Sequence, residues 1–154
     1  MSHTRFYVAG EWSNPAGRHL VSTLRHAGQV VFHSDDLDEA YTWMRSHGPS
    51  AVELAGPREF VVRTRNRDVA GRARVETVAL EESDVFVLIV PAPRSADALF
   101  GWALAQQLPT IVLHTGPTEP ELMYSLADRV ITDLNEFDDA IESIMEGRRS
   151  CAQS

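Results

Sequence analysis

The chain has 154 residues, 44% of them hydrophobic and 23% charged, which is typical of one globular domain that buries its own core. A formal net charge of −8 disfavours binding to duplex nucleic acid or to an acidic membrane surface. No apolar run approaches the roughly 18 residues of a membrane span, and the N-terminus shows no signal-peptide pattern. With one cysteine, Cys151, we expect a cytoplasmic protein without an intrachain disulfide.

Apolar runs alternate with helical patterns along the chain. Strands are predicted for RFYVA (5–9), QVVFHS (29–34), DVFVLIVP (84–91), TIVLH (110–114) and RVIT (129–132). Helices are predicted over 18–27, 35–48, 69–82, 96–107, 120–128 and 134–147, whereas 49–67 favours a short extra strand or an extended loop. This order predicts a single doubly wound α/β domain, flavodoxin-like or Rossmann-like, over residues 1–147, with a five-stranded, mostly parallel sheet. The polar tail, residues 148–154, is expected to be disordered.

The predicted fold indicates where a ligand binds. In doubly wound sheets, ligands bind outside the carboxyl ends of the strands, where the strand order reverses. The loops after the first strand (9–15) and after the central strand (91–97) are therefore expected to face one another there. The fold predicts where a ligand binds, whereas the type of ligand and any reaction depend on the residues of these loops.

The basic residues are unevenly spread. All fourteen are arginine, and six of them lie between residues 58 and 74: Arg58, Arg63, Arg65, Arg67, Arg72 and Arg74. The planar guanidinium suits two-point contacts to phosphate or carboxylate, so this stretch could select a small anion. A solvated helix face, or an interface that pairs with the protein's own carboxylates, explains it equally well.

The second loop carries polar residues with two interpretations each. Ser95 precedes a predicted helix and is typical of an N-cap, while the same helix start, with Arg94 beside it, is typical of an anion site. Asp97 is typical of a helix cap or of a favourable charge at the positive helix end. In the first loop, Glu11 is expected to face solvent, and Trp12 either stacks on a base or packs in a core or interface.

Three segments carry a resemblance to a known family: YVAG with its polar loop, ESDVFVLIVPAPRSADALFGWALAQQLPTIVL, and EPELMYSLADRVITDLNEF. Over residues 6–144 they resemble the nucleoside 2-deoxyribosyltransferase-like family, whose relatives include nucleotide N-glycosidases. The resemblance implies a nucleotide or another nucleoside-derived small molecule as ligand, and a homo-oligomer, a dimer or larger.

The resemblance also implies site residues. Tyr7 and Gly10 match the first strand and the small residue that lets base or sugar approach the backbone. Glu76 falls where family members often carry an aspartate near the sugar. Ser95 matches the serine that helps to hold the 5′-phosphate in the nucleotide-cleaving relatives.

One position departs from the family pattern. Relatives read Ser-Ala-x-x-Glu-x-Gly, in which the glutamate is the nucleophile, whereas this chain reads SADALFG and has Leu99 there. Leucine has no lone pair or charge for glycosidic chemistry, and its helical spacing favours ordinary packing. If the protein is an enzyme, Asp97 or Glu11 would have to supply the carboxylate.

Other chemistries lack their motifs. The histidines show no compact zinc-ligand spacing, and no P-loop, G-x-G-x-x-G or G-x-S-x-G pattern is present, so we expect neither a metal nor a cofactor. The sequence therefore favours a nucleoside- or nucleotide-binding protein that binds, senses or sequesters its ligand without the usual nucleophile. An active deoxyribosyltransferase or N-glycosidase that uses another carboxylate is the first alternative. An interaction protein with a vestigial cleft is the second.

Overall fold

A single parallel sheet forms the centre of the molecule. The computed structural model describes residues 3–11, 13–33, 57–58, 61, 65 and 67–152. Its strands are β1 (Arg5–Ala9), β2 (Val30–His33), β3 (Val85–Val90), β4 (Thr110–His114) and β5 (Arg129–Ile131). They lie in the order β2-β1-β3-β4-β5, and every neighbouring pair is parallel. The doubly wound α/β fold and its flavodoxin-like strand order are thus confirmed, with all five strands parallel rather than most of them.

Helices cover both faces of this sheet. The described helices are α1 (Pro15–His26), α2 (Arg67–Glu81), α3 (Arg94–Ala105) and α4 (Phe137–Ala152), with 3₁₀ turns at Leu122–Leu126 and Leu134–Glu136. α1 begins three residues before the predicted start because Asn14 caps it and Pro15 occupies its first turn. The helix predicted over 35–48 lies outside the described residues, as does the 49–67 region apart from residues 57–58, 61, 65 and 67.

The C-terminal segment differs from the sequence expectation. α4 continues to Ala152, so disorder from Arg148 onward is wrong for residues 148–152. The Arg148 guanidinium donates a hydrogen bond to the carbonyl of Gln107 at 2.7 Å and lies 3.7 Å from the carboxylate of Asp128. These contacts attach the last turns of α4 to the edge of the sheet. The polar composition of the segment alone would indicate a tail surrounded by solvent.

Two apolar layers sandwich the sheet. All six residues of β3 are buried, as expected for a central strand that is covered on both faces. One layer joins α1 and α4 to the sheet through Leu20, Val21, Phe137 and Ile144. The other layer joins α2 and α3 through residues that include Leu80 and Phe100. Among the described residues, no helix is both long enough and apolar enough to cross a membrane.

Candidate ligand-binding site

The strand order reverses between β1 and β3, which brings the loops that follow these strands together. Gly10, the first residue after β1, has a φ of +153°, and a Cβ there would lie 3.0 Å from both the Cβ and the carbonyl oxygen of Ile89. A glycine is therefore needed for the first loop to pack directly against β3. The observed close contact of Gly10 is with β3. The close approach of a base or sugar to Gly10, which the family resemblance implies, stays a prediction.

A cavity opens at this corner of the sheet. It is an open depression with a volume of about 390 Å³, lined by Glu11, Ser13, Asn14, Pro15, Ala16, Pro91 and Thr115. Its walls are thus the loop after β1, the first turn of α1, and the residues that follow β3 and β4. We call it the Glu11 cavity.

Asn14 holds the walls of the Glu11 cavity together. Its side-chain oxygen accepts a hydrogen bond from the amide of Ala16 at 3.0 Å, and its Nδ2 donates to the hydroxyl of Thr115 at 2.7 Å. That hydroxyl donates in turn to the carbonyl of Val90 at 2.9 Å. The chain of bonds fixes the start of α1 to the ends of β3 and β4. Sequence reasoning missed both Asn14 and Thr115, although the Asn-Pro pair is a helix-start signal.

Among the residues of the described ranges, Glu11 supplies the only carboxylate that lines the cavity. Its side chain is exposed, as predicted, and accepts a hydrogen bond from the hydroxyl of Ser13 at 3.2 Å. Its carbonyl oxygen accepts from the amide of Asn14 at 3.0 Å, which shapes the turn into α1. Trp12, between them in sequence, lies outside the described residues.

The start of α3 forms the second corner. Its N-cap is Pro93, which has no side-chain donor or acceptor, and Ser95 is the second residue of the helix rather than its cap. The N-cap interpretation of Ser95 is therefore wrong. Arg94 and Ser95 are both exposed. This helix start consequently lacks the side-chain cap that closes the start of α1.

Asp97 is held by a distant tyrosine. Its carboxylate accepts a hydrogen bond from the hydroxyl of Tyr124 at 2.7 Å. It lies in the first turn of α3, where a negative charge is favourable, and it does not cap the helix, so the capping interpretation is wrong. Burial raises the pKa of Tyr124 above its ordinary value, and the hydrogen bond and the negative charge of Asp97 raise it further.

Leu99 packs where the family resemblance places a nucleophile. It is partly buried against the apolar layer between the sheet and α3, in agreement with the packing role predicted from its spacing. The fully buried positions of α3 are Ala96, Phe100 and Ala103. Trp102 lies away from this layer, with 44% of its surface exposed.

Tyr7 lies in the apolar layer beneath α2, within the electrostatic influence of Glu76 on that helix. The ring of Tyr7 is buried between Phe32, at a centroid distance of 5.0 Å, and Phe86, at 5.4 Å. Its hydroxyl is buried and has no hydrogen-bond partner in the described part of the chain. Burial raises the pKa of Tyr7 far above its ordinary value, the charge of Glu76 raises it further, and the charge of Arg72 opposes both effects.

The described arginines of the 58–74 stretch divide into two kinds. Arg58, Arg65, Arg67 and Arg74 are exposed, as expected of a solvated surface. Arg72 is buried and pairs with Glu76 at 3.3 Å, one helical turn away. The structure thus agrees with an arginine that pairs with the protein's own carboxylate, while Arg63 lies outside the described residues.

The sequence matches no protein-family model and no curated protein. The structure is similar to a 2-deoxyribosyltransferase from the psychrotolerant bacterium Bacillus psychrosaccharolyticus, which is described as a biocatalyst for the synthesis of antiviral and antitumoral nucleosides. The TM-score is 0.58 at 15% identity, and the likeness covers 87% of this chain and 90% of that one. At this identity it shows that the two chains share a fold.

Proposed function

We propose that this protein binds a nucleoside or nucleotide at the carboxyl edge of its sheet and does not cleave the glycosidic bond. The observation that carries the proposal is Leu99, which packs against the core in a fold similar to that of a 2-deoxyribosyltransferase. The residues proposed to form the site are Tyr7, Gly10, Glu11, Trp12, Glu76, Arg94, Ser95 and Asp97.

The contacts of Asp97 support a binding role over a catalytic one. Glycosidic cleavage through a covalent intermediate needs a carboxylate that attacks the anomeric carbon. Leu99 offers no such group, and the Asp97 carboxylate already accepts the hydroxyl of Tyr124 at 2.7 Å. An attacking Asp97 would have to give up this bond and leave Tyr124 without its partner.

The uncapped start of α3 supports a phosphate subsite. The first amides of a helix carry partial positive charge and bind anions when no side chain caps them. No side chain caps the start of α3, and its third and fourth amides, those of Ala96 and Asp97, donate to the carbonyl of Pro93. The amides of Arg94 and Ser95 come before them, and the exposed side chains of these two residues add a cation and a hydroxyl. We infer that a nucleotide would place its phosphate here.

Titration calorimetry with nucleosides, nucleoside monophosphates and cyclic nucleotides tests the proposal. We expect at least one of these classes to bind and chromatography of the same mixtures to show no release of free base. Failure of every ligand to bind overturns the proposal. Base release at a rate proportional to protein concentration also overturns it, in favour of an enzyme.

The second candidate function is an active deoxyribosyltransferase or N-glycosidase. It is favoured by the exposed carboxylate of Glu11 in the open cavity. If base is released, Glu11→Gln and Asp97→Asn assign the reacting group. Loss in one variant alone identifies that carboxylate, whereas retention in both clears the two of them. An interaction protein with a vestigial cleft is less well supported, since no side chain of the described residues fills the Glu11 cavity.

We further propose that the protein assembles with a second copy of itself. Apolar side chains are exposed beside β5 and the turn that precedes it: Leu122, Met123, Leu126 and Val130. Leu122 has 85% of its surface exposed, which is unusual for a leucine unless another surface covers it. Light scattering after gel filtration should give at least a dimer, and Leu122→Asp should lower the mass. A monomeric mass for the unmodified protein contradicts this proposal.

A further inference from the structure

The Glu11 cavity lies at the start of α1, but its contacts leave little room for an anion there. Pro15 has no amide hydrogen, and the amide of Ala16 is bound by the side chain of Asn14. The amide of Arg18 donates to the carbonyl of Asn14 at 3.3 Å. Most of the amides that attract a phosphate at an open helix start are therefore absent or engaged.

The side chains of the cavity offer acceptors instead. The Glu11 carboxylate has two oxygens with about four acceptor positions, and Ser13 donates to one of these oxygens. Thr115 uses its proton to bind the carbonyl of Val90. No lysine, arginine or histidine is among the described residues that line the cavity. A ligand placed here gains most by donating hydrogen bonds, and a negative charge would be repelled.

We propose that the Glu11 cavity holds the 2′,3′-diol of a ribose, with both hydroxyls donating to the Glu11 carboxylate. Two neighbouring hydroxyls match the two oxygens of one carboxylate. In dinucleotide-binding sheets an acidic side chain likewise accepts a hydrogen bond from the ribose 2′-hydroxyl. A volume of about 390 Å³ lies within the usual range of small-molecule sites. The inference rests on the proposed function and deepens it, because it makes the ligand a ribonucleoside or ribonucleotide rather than a 2′-deoxy compound.

The test compares adenosine, guanosine, cytidine and uridine with their 2′-deoxy counterparts by titration calorimetry. For the base that binds, we expect the riboside to bind about tenfold or more tightly, since a 2′-deoxy sugar leaves one oxygen of a charged acceptor without its hydrogen bond. Glu11→Gln should reduce this ratio to about twofold, because the amide keeps one acceptor and loses the charge.

Glu142→Gln on α4 is the matched control, because it makes the same chemical change at an exposed position outside the cavity. It should leave the ratio unchanged. Equal affinities for riboside and deoxyriboside, or a preference that survives Glu11→Gln, overturn the diol subsite and leave the proposed function standing. Failure of all eight nucleosides and of their monophosphates overturns both. Unfolding curves of the two variants should superimpose, which separates a lost contact from a lost fold.

Discussion

The starts of α1 and α3 lie at the same edge of the sheet but are built in opposite ways. At α1, Asn14 caps the helix and binds Thr115, the residue after β4. At α3, Pro93 provides no cap, and Arg94 and Ser95 remain exposed. The difference indicates a division of roles, in which side chains hold the first corner and the second corner leaves the amides of Arg94 and Ser95 uncapped for a ligand.

The charges at the two corners follow the same division. The first corner presents the carboxylate of Glu11, and the second presents the guanidinium of Arg94. In a nucleotide, the sugar hydroxyls donate hydrogen bonds and complement the carboxylate of the first corner. The anionic phosphate complements the guanidinium of the second corner. Substitutions of Gly10 and Asn14, which hold the first corner, should therefore change stability most, and substitutions of the exposed residues at the second corner should change affinity most.

The largest effect is expected at Gly10. Gly10→Ala places a methyl group 3.0 Å from the backbone of Ile89 and forces a positive φ on alanine, so we expect a loss of about 2–4 kcal/mol in the free energy of unfolding. Gly101→Ala is the control within α3, because its new methyl group meets nothing within 4 Å and should stabilise the helix by about 0.5–1 kcal/mol. Urea denaturation measures both values. Similar effects at the two glycines would contradict the close packing of the first loop.

The next effect concerns the cap itself. Asn14→Ala removes the cap of α1 and the link to Thr115, and should cost about 2 kcal/mol. Asn14→Asp keeps a capping oxygen but loses the donor to Thr115, so it should cost about 1 kcal/mol. The difference between the two variants in urea denaturation measures the link. If both variants unfold like the unmodified protein, the first corner is not held by Asn14.

These two corners also show how far the sequence predicts the molecule. Runs such as TIVLH and DVFVLIVP carry local signals, so the strands and their parallel order followed from composition and spacing. The contacts that distinguish the corners join distant residues: Asn14 binds Thr115 across 101 positions, and Asp97 binds Tyr124 across 27. Single-sequence patterns contain no information on such pairs. The sequence accordingly leaves a cap open for both residues, beside an anion site for Ser95 and a favourable helix-end charge for Asp97, whereas the structure assigns the cap to Pro93.

A smaller effect is expected from the bond between Tyr124 and Asp97. Tyr124→Phe should cost about 1 kcal/mol at neutral pH, because it removes a partly exposed hydrogen bond. The pKa of Tyr124 is raised in the folded protein, so the stability from its protonated hydroxyl is fully present below pH 10, its ordinary value, and declines as the pH rises further. The difference in unfolding free energy between the two proteins should thus be constant up to about pH 10 and shrink above it. A difference that grows above pH 10 would contradict the assignment.

The smallest effect on stability, and the sharpest test of the second corner, is expected at Ser95. Because its side chain is exposed, Ser95→Ala should change the free energy of unfolding by less than about 0.5 kcal/mol. The affinity of the Ser95→Ala protein for a nucleoside monophosphate should nevertheless fall about fivefold to tenfold, while its affinity for the parent nucleoside stays constant. The ratio of these two affinities isolates the contribution of the phosphate, since base and sugar are the same in both ligands.

Ser13→Ala is the matched control at the first corner and should leave this ratio unchanged, because the hydroxyl of Ser13 donates to Glu11 and lies with the sugar in the proposed arrangement. A ratio that falls in Ser13→Ala but not in Ser95→Ala would place the phosphate at the capped helix and reverse the division between the corners.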